Sequence, residues 1–167
     1  DASILQGAGD VSDNAARLRR AREAHPSATI IYKPHPDVVA GLRPGGSPDA
    51  DIANTTIEQG DIATLLDQID EVWTITSLTG FEALLRDVPV TVLGTPFYAG
   101  WGLTRDLGDI PARRKSRPSK AGLAHAALID YPRYLDPVTG MPCPIECILD
   151  RLENNEIARP NPINRSH

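Results

Sequence analysis

The pattern that most constrains this chain lies at its centre: a strand, a tight junction, a helix and another strand. Glu71-Val72-Trp73-Thr74-Ile75 and Val88-Pro89-Val90-Thr91-Val92-Leu93 are short apolar runs rich in β-branched residues. Such runs, without clean alternation of polar and apolar residues, suit strands buried on both faces. Between them, Thr76-Ser77-Leu78-Thr79-Gly80-Phe81-Glu82-Ala83-Leu84-Leu85 reads as a turn followed by a helix, with Ser77 or Thr79 as its N-cap. Strands alternating with helices imply parallel pairing through right-handed crossovers.

The same alternation extends along the chain. Residues 12–25 read as a helix capped by Ser12 and stopped by Pro26, with Val11, Ala15, Leu18 and Ala21 on one face. Arg17, Arg19, Arg20 and Arg22 mostly take its other faces. Thr29-Ile30-Ile31-Tyr32 is a second candidate for a strand buried on both faces. It runs into Lys33-Pro34-His35-Pro36, where two prolines enforce a stiff extended exit. Residues 37–54 carry Gly41, Pro44, Gly45, Gly46 and Pro48 and read as a long loop. Asn54-Thr55-Thr56-Ile57 is a short strand candidate, and Asp61 a cap for a short helix with Ile62, Leu65, Leu66 and Ile69 inward.

Residues 94–118 read as a long loop of Gly, Pro and aromatics. Helices are predicted at 119–130, with Leu123, Ala127, Leu128 and Tyr131 on one face, and at 144–154, with Ile148, Leu149 and Leu152. The fold class expected is α/β, a Rossmann-like parallel sheet flanked by helices over residues 1–154, with a flexible polar tail at 155–167. A complete lobe of this kind begins with a strand. Here Asp1-Ala2-Ser3 leads almost directly to a helix, so the chain reads as a fragment of a larger protein, cut just after its first strand.

Composition narrows the function classes. A net charge of -5 argues against a dedicated nucleic-acid binder, which needs a basic surface to displace counterions. No apolar run approaches the ~20 residues of a membrane helix, and nothing at the start resembles a signal peptide. A cytoplasmic domain is expected. Cys143 and Cys147 are the only cysteines, which excludes a disulfide scaffold. Two ligands do not make a zinc site, and His25, His125 and His167 lack ligand-like spacing to them, so no metal is predicted.

In open parallel sheets, ligands bind beyond the carboxyl ends of the strands. Three segments fall there. Thr76, Ser77, Thr79 and Gly80 open a helix, where free N–H groups and hydroxyls suit a phosphate and Gly80 permits close approach. Glu82, in the first turn, suits sugar hydroxyls; the same residues also suit an ordinary capped helix. Lys33 and His35 suit neutralising a phosphate or protonating a leaving group, or a solvated lysine and a backbone-bonded histidine. Phe97-Tyr98-Ala99-Gly100-Trp101-Gly102 sets aromatics among glycines, suited to stacking on a base or sugar through Tyr98 or Trp101, or to folding onto its own apolar cluster. Arg113, Arg114, Lys115, Arg117 and Lys120 form a basic run, read either as an attractor of an anionic sugar or lipid headgroup or as a solvated, flexible loop. Asp1 is a candidate catalytic carboxylate.

These segments in this order, together with Tyr131-Pro132-Arg133-Tyr134, closely resemble bacterial capsular polysaccharide biosynthesis proteins of the KpsC (LipB) type, from Asp1 to about Leu152. The resemblance implies one lobe of a two-lobed GT-B glycosyltransferase. Such enzymes move 3-deoxy-manno-octulosonic acid (Kdo) from CMP-Kdo to a lipid-linked glycan acceptor. It implies no cofactor beyond the CMP-sugar donor and no metal. It also implies a missing N-terminal lobe of the same protein as partner, and peripheral association with the inner membrane. It further implies that His35 and Pro36 match a His-Pro motif near the CMP phosphate, that Ser77, Thr79 and Gly80 receive the nucleotide, that Glu82 holds the ribose, and that Asp1 is the nucleophile of a retaining transfer. The family often has Gly where this chain has Asp87, at a helix end. Two other functions fit the same residues: a non-catalytic assembly module of the capsule export machinery, and a nucleotide-sugar epimerase that prefers UDP-linked sugars.

Overall fold

A computed structural model of the protein describes residues 14–34 and 52–157. Ser12, Val11 and the loop at 37–51 lie outside them. The chain divides into two compact units, Asp1–Lys120 and Ala121–His167.

In the first unit, α1 (Asn14–Ala24) buries Leu18 and Ala21, as its spacing predicts. β1 (Ile31–Tyr32) pairs in parallel with β2 (Thr55–Thr56). The expected burial of this strand on both faces is not met: Tyr32 is buried, but Ile31 is 38% exposed. Asp61 caps α2 (Ile62–Leu66), accepting from the Thr64 N–H and hydroxyl at 3.0 Å each. Leu66 is fully buried in that helix, whereas Ile62 and Leu65 are half-buried.

β3 (Val72–Thr74), β4 (Val90–Val92) and β5 (Arg105–Asp106) form a parallel sheet in that order. Every residue of β4 is buried, the mark of a strand covered on both faces. α3 (Leu78–Leu85) connects β3 to β4 and buries Gly80, Phe81, Ala83 and Leu84. Parallel strands need a crossover, usually helical. The β4–β5 crossover is instead the irregular segment 93–104. β5 falls inside a stretch read as loop, because two polar residues carry no strand periodicity.

α3 ends in a Schellman motif. The Val88 N–H donates to the Ala83 carbonyl at 3.0 Å and the Asp87 N–H to Leu84 at 3.2 Å. Asp87 takes φ +62, a conformation that favours glycine, which accounts for the glycine expected there. Lys120 Nζ bonds the Asp87 carboxylate at 2.6 Å and the Leu85 carbonyl at 3.3 Å.

In the second unit, α4 (Lys120–His125), which begins at the last residue of the first, runs into a π-helical turn at Ala126–Asp130, closed by the Tyr131 N–H to the Ala126 carbonyl. The wider turn breaks the 3.6-residue period. The residues expected on one face therefore part: Leu123 is buried, but Leu128 is 41% and Tyr131 86% exposed. A hairpin of β6 (Tyr134–Leu135) and β7 (Pro142–Cys143) follows, then α5 (Ile145–Glu153). α5 packs on β6; its apolar Leu149 and Leu152 are half exposed.

Asp136 organises this unit. Its carboxylate accepts from Arg151 Nε and Nη2 at 3.1 and 3.0 Å, from the Val138 N–H at 3.0 Å and from the Thr139 hydroxyl at 2.9 Å. Arg151 also bonds Glu156. The hydrogen bonds from Arg151, then that from Val138, hold the Asp136 carboxyl at about 2, against ~3.9 in an unfolded chain. A depressed carboxylate stabilises above the unfolded value, and the contribution is lost as pH falls through the folded one. Thermal unfolding followed from pH 5 to pH 2 is therefore expected to show a falling midpoint, with a shallower fall in Asp136→Asn. Equal slopes in the two proteins would remove Asp136 from this role.

Candidate functional site

The helix start at Ser77 is built as the sequence predicts. Ser77 is extended (φ -65, ψ 143) and its hydroxyl accepts from the Thr79 N–H at 3.2 Å. The Ser77 N–H is held by the Thr74 hydroxyl at 3.2 Å. Ser77 is exposed, and Thr76, Thr79 and Glu82 are half-buried.

Lys33, Ser77 and Thr79 come together on one cavity of about 510 Å³, bounded also by Arg17, Tyr32, Trp73 and Thr74. Its polar end lies at the carboxyl ends of β1 and β3, where parallel sheets receive ligands. Arg17 stands 5.7 Å from the Tyr32 ring centroid, a cation–π distance. Burial lowers its guanidinium pKa. The sequence reading missed Arg17 and Tyr32. The signal for Arg17 was its i, i+4 relation to Ala21 on the helix's buried face. Thr76, Gly80, Glu82, Tyr98 and Trp101 do not line this cavity.

The aromatic loop does not present Tyr98 to a ligand. Tyr98 is fully buried, its hydroxyl donating to the Ser77 carbonyl at 2.5 Å. Burial pushes its phenol well above the ordinary value. It packs with Phe81 and Phe97, ring centroids 6.1 and 5.2 Å away. Gly80 is also turned to packing. A Cβ there would strike the Tyr98 hydroxyl and lie 2.9 Å from Thr74 Cγ2, so the face expected to admit a ligand is held by Tyr98. Trp101 is half-buried; its Nε1 donates to the Phe97 carbonyl at 2.7 Å, and Arg114 lies 5.6 Å from its ring centroid.

Part of the basic run braces this loop and is not a loose solvated segment. Arg114 donates to the Pro96 and Ala99 carbonyls at 2.7 and 2.8 Å. Arg117 reaches the Gly100 carbonyl at 3.4 Å. Asp106 accepts from the Gly100 N–H at 3.0 Å. Gly100 and Gly102 take φ +85 and +81, open to glycine at little cost. Arg113 and Lys115 remain exposed. Asp1, His35 and Pro36 lie outside the described residues.

Comparison with known proteins bears on these features. Residues 1–134 match the family model described as capsule polysaccharide biosynthesis protein. The chain is 54% identical over 142 residues to the capsule polysaccharide modification protein LipA of Neisseria meningitidis, covering 83% of this chain and 20% of LipA. It is 46% identical over 164 residues to the lipopolysaccharide-processing protein LpsZ of Rhizobium meliloti, covering 95% of this chain and 37% of LpsZ. Among solved structures, KpsC of Thermosulfurimonas dismutans, a beta Kdo 2,7 transferase, superposes with a TM-score of 0.81 at 36% identity, covering 94% of this chain and 50% of that one. This chain thus spans half or less of each of these relatives. Its fold class is the one expected, an α/β Rossmann-like lobe of the GT-B type.

Two substitutions test the loop's construction. Gly80→Ala is expected to cost about 1–3 kcal/mol by overpacking, read as a lowered thermal midpoint; an unchanged midpoint would show that Tyr98 yields freely. Arg114→Lys keeps the charge but not the planar fork that spans two carbonyls. Its tryptophan emission is expected to shift to the red and proteolysis within 96–102 to quicken, and an unaltered spectrum and digest would refute the brace.

Proposed function

The chain belongs to the capsule polysaccharide biosynthesis protein family, and on that premise we propose that it is the donor-binding lobe of a retaining glycosyltransferase moving Kdo from CMP-Kdo to a lipid-linked glycan. The observation that carries the reading is the convergence of Lys33, Ser77 and Thr79 on one cavity at the carboxyl ends of two parallel strands. A helix N-terminus and an ammonium group together favour a phosphate. The Kdo transferase named among the structural neighbours supports the sugar.

In this proposal the CMP phosphate rests against the Ser77–Thr79 helix start with Lys33 and His35, beside Pro36, and Glu82 accepts from the ribose hydroxyls. An Asp1 carboxylate oxygen attacks the anomeric carbon, and CMP departs with the bonding electron pair. An acceptor hydroxyl then displaces Asp1, which leaves as the carboxylate while the hydroxyl proton passes to water, with net retention. The Kdo carboxylate needs its own cation, for which Arg105, Arg113 and Lys115 are exposed. The acceptor side of the cleft belongs to the N-terminal lobe, so residues 1–167 alone are proposed to bind CMP weakly and to transfer nothing. No helix of the described residues is long and apolar enough to cross a membrane; a cytoplasmic position with peripheral contact at the inner membrane is proposed.

Calorimetric titration of the full-length protein with CMP, with UMP as control, tests the reading. Selective CMP binding is expected, weakened about 10-fold or more in His35→Ala and in Glu82→Ala, since a hydrogen bond to a charged group contributes ~1.5–3 kcal/mol. Preference for UMP would overturn the CMP-Kdo assignment and favour an epimerase. Binding of neither nucleotide would favour an assembly module.

A further inference from the structure

Cys143 and Cys147 take no part in the proposed transfer, yet the second unit brings them together. Cys143 ends β7, opposite Tyr134 in the hairpin. Pro144 follows in an extended conformation (φ -71, ψ 163) and caps α5, which starts at Ile145. Cys147 is the third residue of that helix, and its N–H donates to the Pro144 carbonyl at 3.2 Å. A residue just before an N-cap packs over the first turn of its helix, where hydrophobic staples form. Cys143 holds that position.

The way α5 is fixed turns the same face onto the hairpin. Arg151 lies four residues beyond Cys147 and so shares its side of the helix. It grips the Asp136 carboxylate, just after β6, through Nε and Nη2 at 3.1 and 3.0 Å. The Asp136 backbone closes the hairpin: its N–H donates to the Met141 carbonyl at 2.9 Å, and its carbonyl accepts from the Gly140 N–H at 2.7 Å. α5 therefore presents Cys147 to the strand end that carries Cys143. Both cysteines are free thiols and half-buried. They share a hydrogen bond, and Asp136 and Arg151 are the charged groups that act on Cys143.

A disulfide bridges Cα atoms about 4.4–6.8 Å apart, a span of roughly one helical turn. The surroundings also sort the roles. Desolvation, then the hydrogen bond with Cys147 and its charge, push the Cys143 thiol above its ordinary value. Cys143 therefore keeps its proton and lends it as a hydrogen bond to a Cys147 thiolate, and the thiolate is the nucleophile. The Asp136–Arg151 pair holds the junction while both cysteines are reduced, so the sulfurs meet without unfolding.

We propose that Cys143 and Cys147 form a reversible disulfide on exposure to hydrogen peroxide, tying the start of α5 to the end of β7. The Cys147 thiolate attacks one peroxide oxygen. The O–O bond breaks, hydroxide leaves and takes up a proton as water, and Cys147 becomes a sulfenic acid. The Cys143 sulfur then attacks the Cys147 sulfur. The S–O bond breaks, and the departing hydroxide takes the Cys143 proton as a second water. Two thiols and one peroxide thus give one disulfide and two waters. Exchange with a small dithiol restores both cysteines. Such a bond is transient in a reducing compartment and marks a response to oxidant, not a scaffold. The proposal does not depend on which nucleotide the first unit binds.

Mass mapping of the full-length protein tests it. The reduced protein is treated with one equivalent of hydrogen peroxide, alkylated with iodoacetamide and digested with trypsin. Tyr134–Arg151 leaves as one peptide, because no Lys or Arg lies between Arg133 and Arg151. That peptide is expected to lose two hydrogens and to take up no alkyl group. Cleavage after Glu146, between the two cysteines, is expected to leave its halves joined until dithiothreitol is added. Closure is expected to run at least ~10-fold faster in the native protein than in urea, since the fold supplies the proximity. Cys143→Ser is expected to leave a sulfenic acid on Cys147 that dimedone traps. Two alkylated cysteines after peroxide, a disulfide from either one to a different cysteine, or equal rates in urea would overturn the proposal. A dimedone adduct on Cys143 in Cys147→Ser, with none on Cys147 in Cys143→Ser, would overturn the assignment of the nucleophile.

Discussion

The hydrogen bond from the Tyr98 hydroxyl to the Ser77 carbonyl joins the two segments on which the first unit depends. Ser77 opens the helix that links β3 to β4, and Tyr98 lies in the segment that links β4 to β5. The bond forms only because residue 80 has no side chain; any Cβ there would occupy the place of the hydroxyl. One glycine thus lets the loop descend onto the first turn of the helix and seals Phe81, Tyr98 and Val92 from water.

That arrangement divides the labour among residues that look alike in sequence. Tyr98 and Gly80 support the site from beneath. Ser77 and Thr79, in the same stretch of chain, face the cavity with Lys33. The arginines after residue 112 divide in the same way. Arg114 and Arg117 spend their donors on loop carbonyls, while Arg113 and Lys115 stay in solvent. The run therefore keeps its charge but has fewer free donors to offer a ligand directly than its residue count implies.

The central unit of strand, capped helix and strand was legible because β-branched runs, a serine cap and helical spacing all pointed the same way. Asp61 announced its short helix by the same logic. β5 and the β6–β7 hairpin were not legible: two-residue strands have no period to read. The faces at 119–131 failed for a different reason, since one π-helical turn after His125 rotates everything beyond it. At the site, helix capping at Ser77 was visible in residue type alone. The burial of Tyr98 was not, because an aromatic beside glycines has the same signature whether it awaits a ligand or packs under a loop. Arg17 is hard to read because a charged residue on a surface helix is normally solvent-facing, and its i, i+4 relation to Ala21 is a weak signal against that expectation.

The aromatic segment also stands in for a missing element. Where a parallel crossover ordinarily lays a helix across the sheet, this chain lays Pro96 to Thr104, held by arginine forks and by glycines at positive φ. Its residues answer to architecture before chemistry. A chain that bound nothing at the rim but still needed this lobe to stand would need the segment intact. The aromatic run is thus a mark of construction, and what the lobe can bind must be read from the residues that line the rim instead.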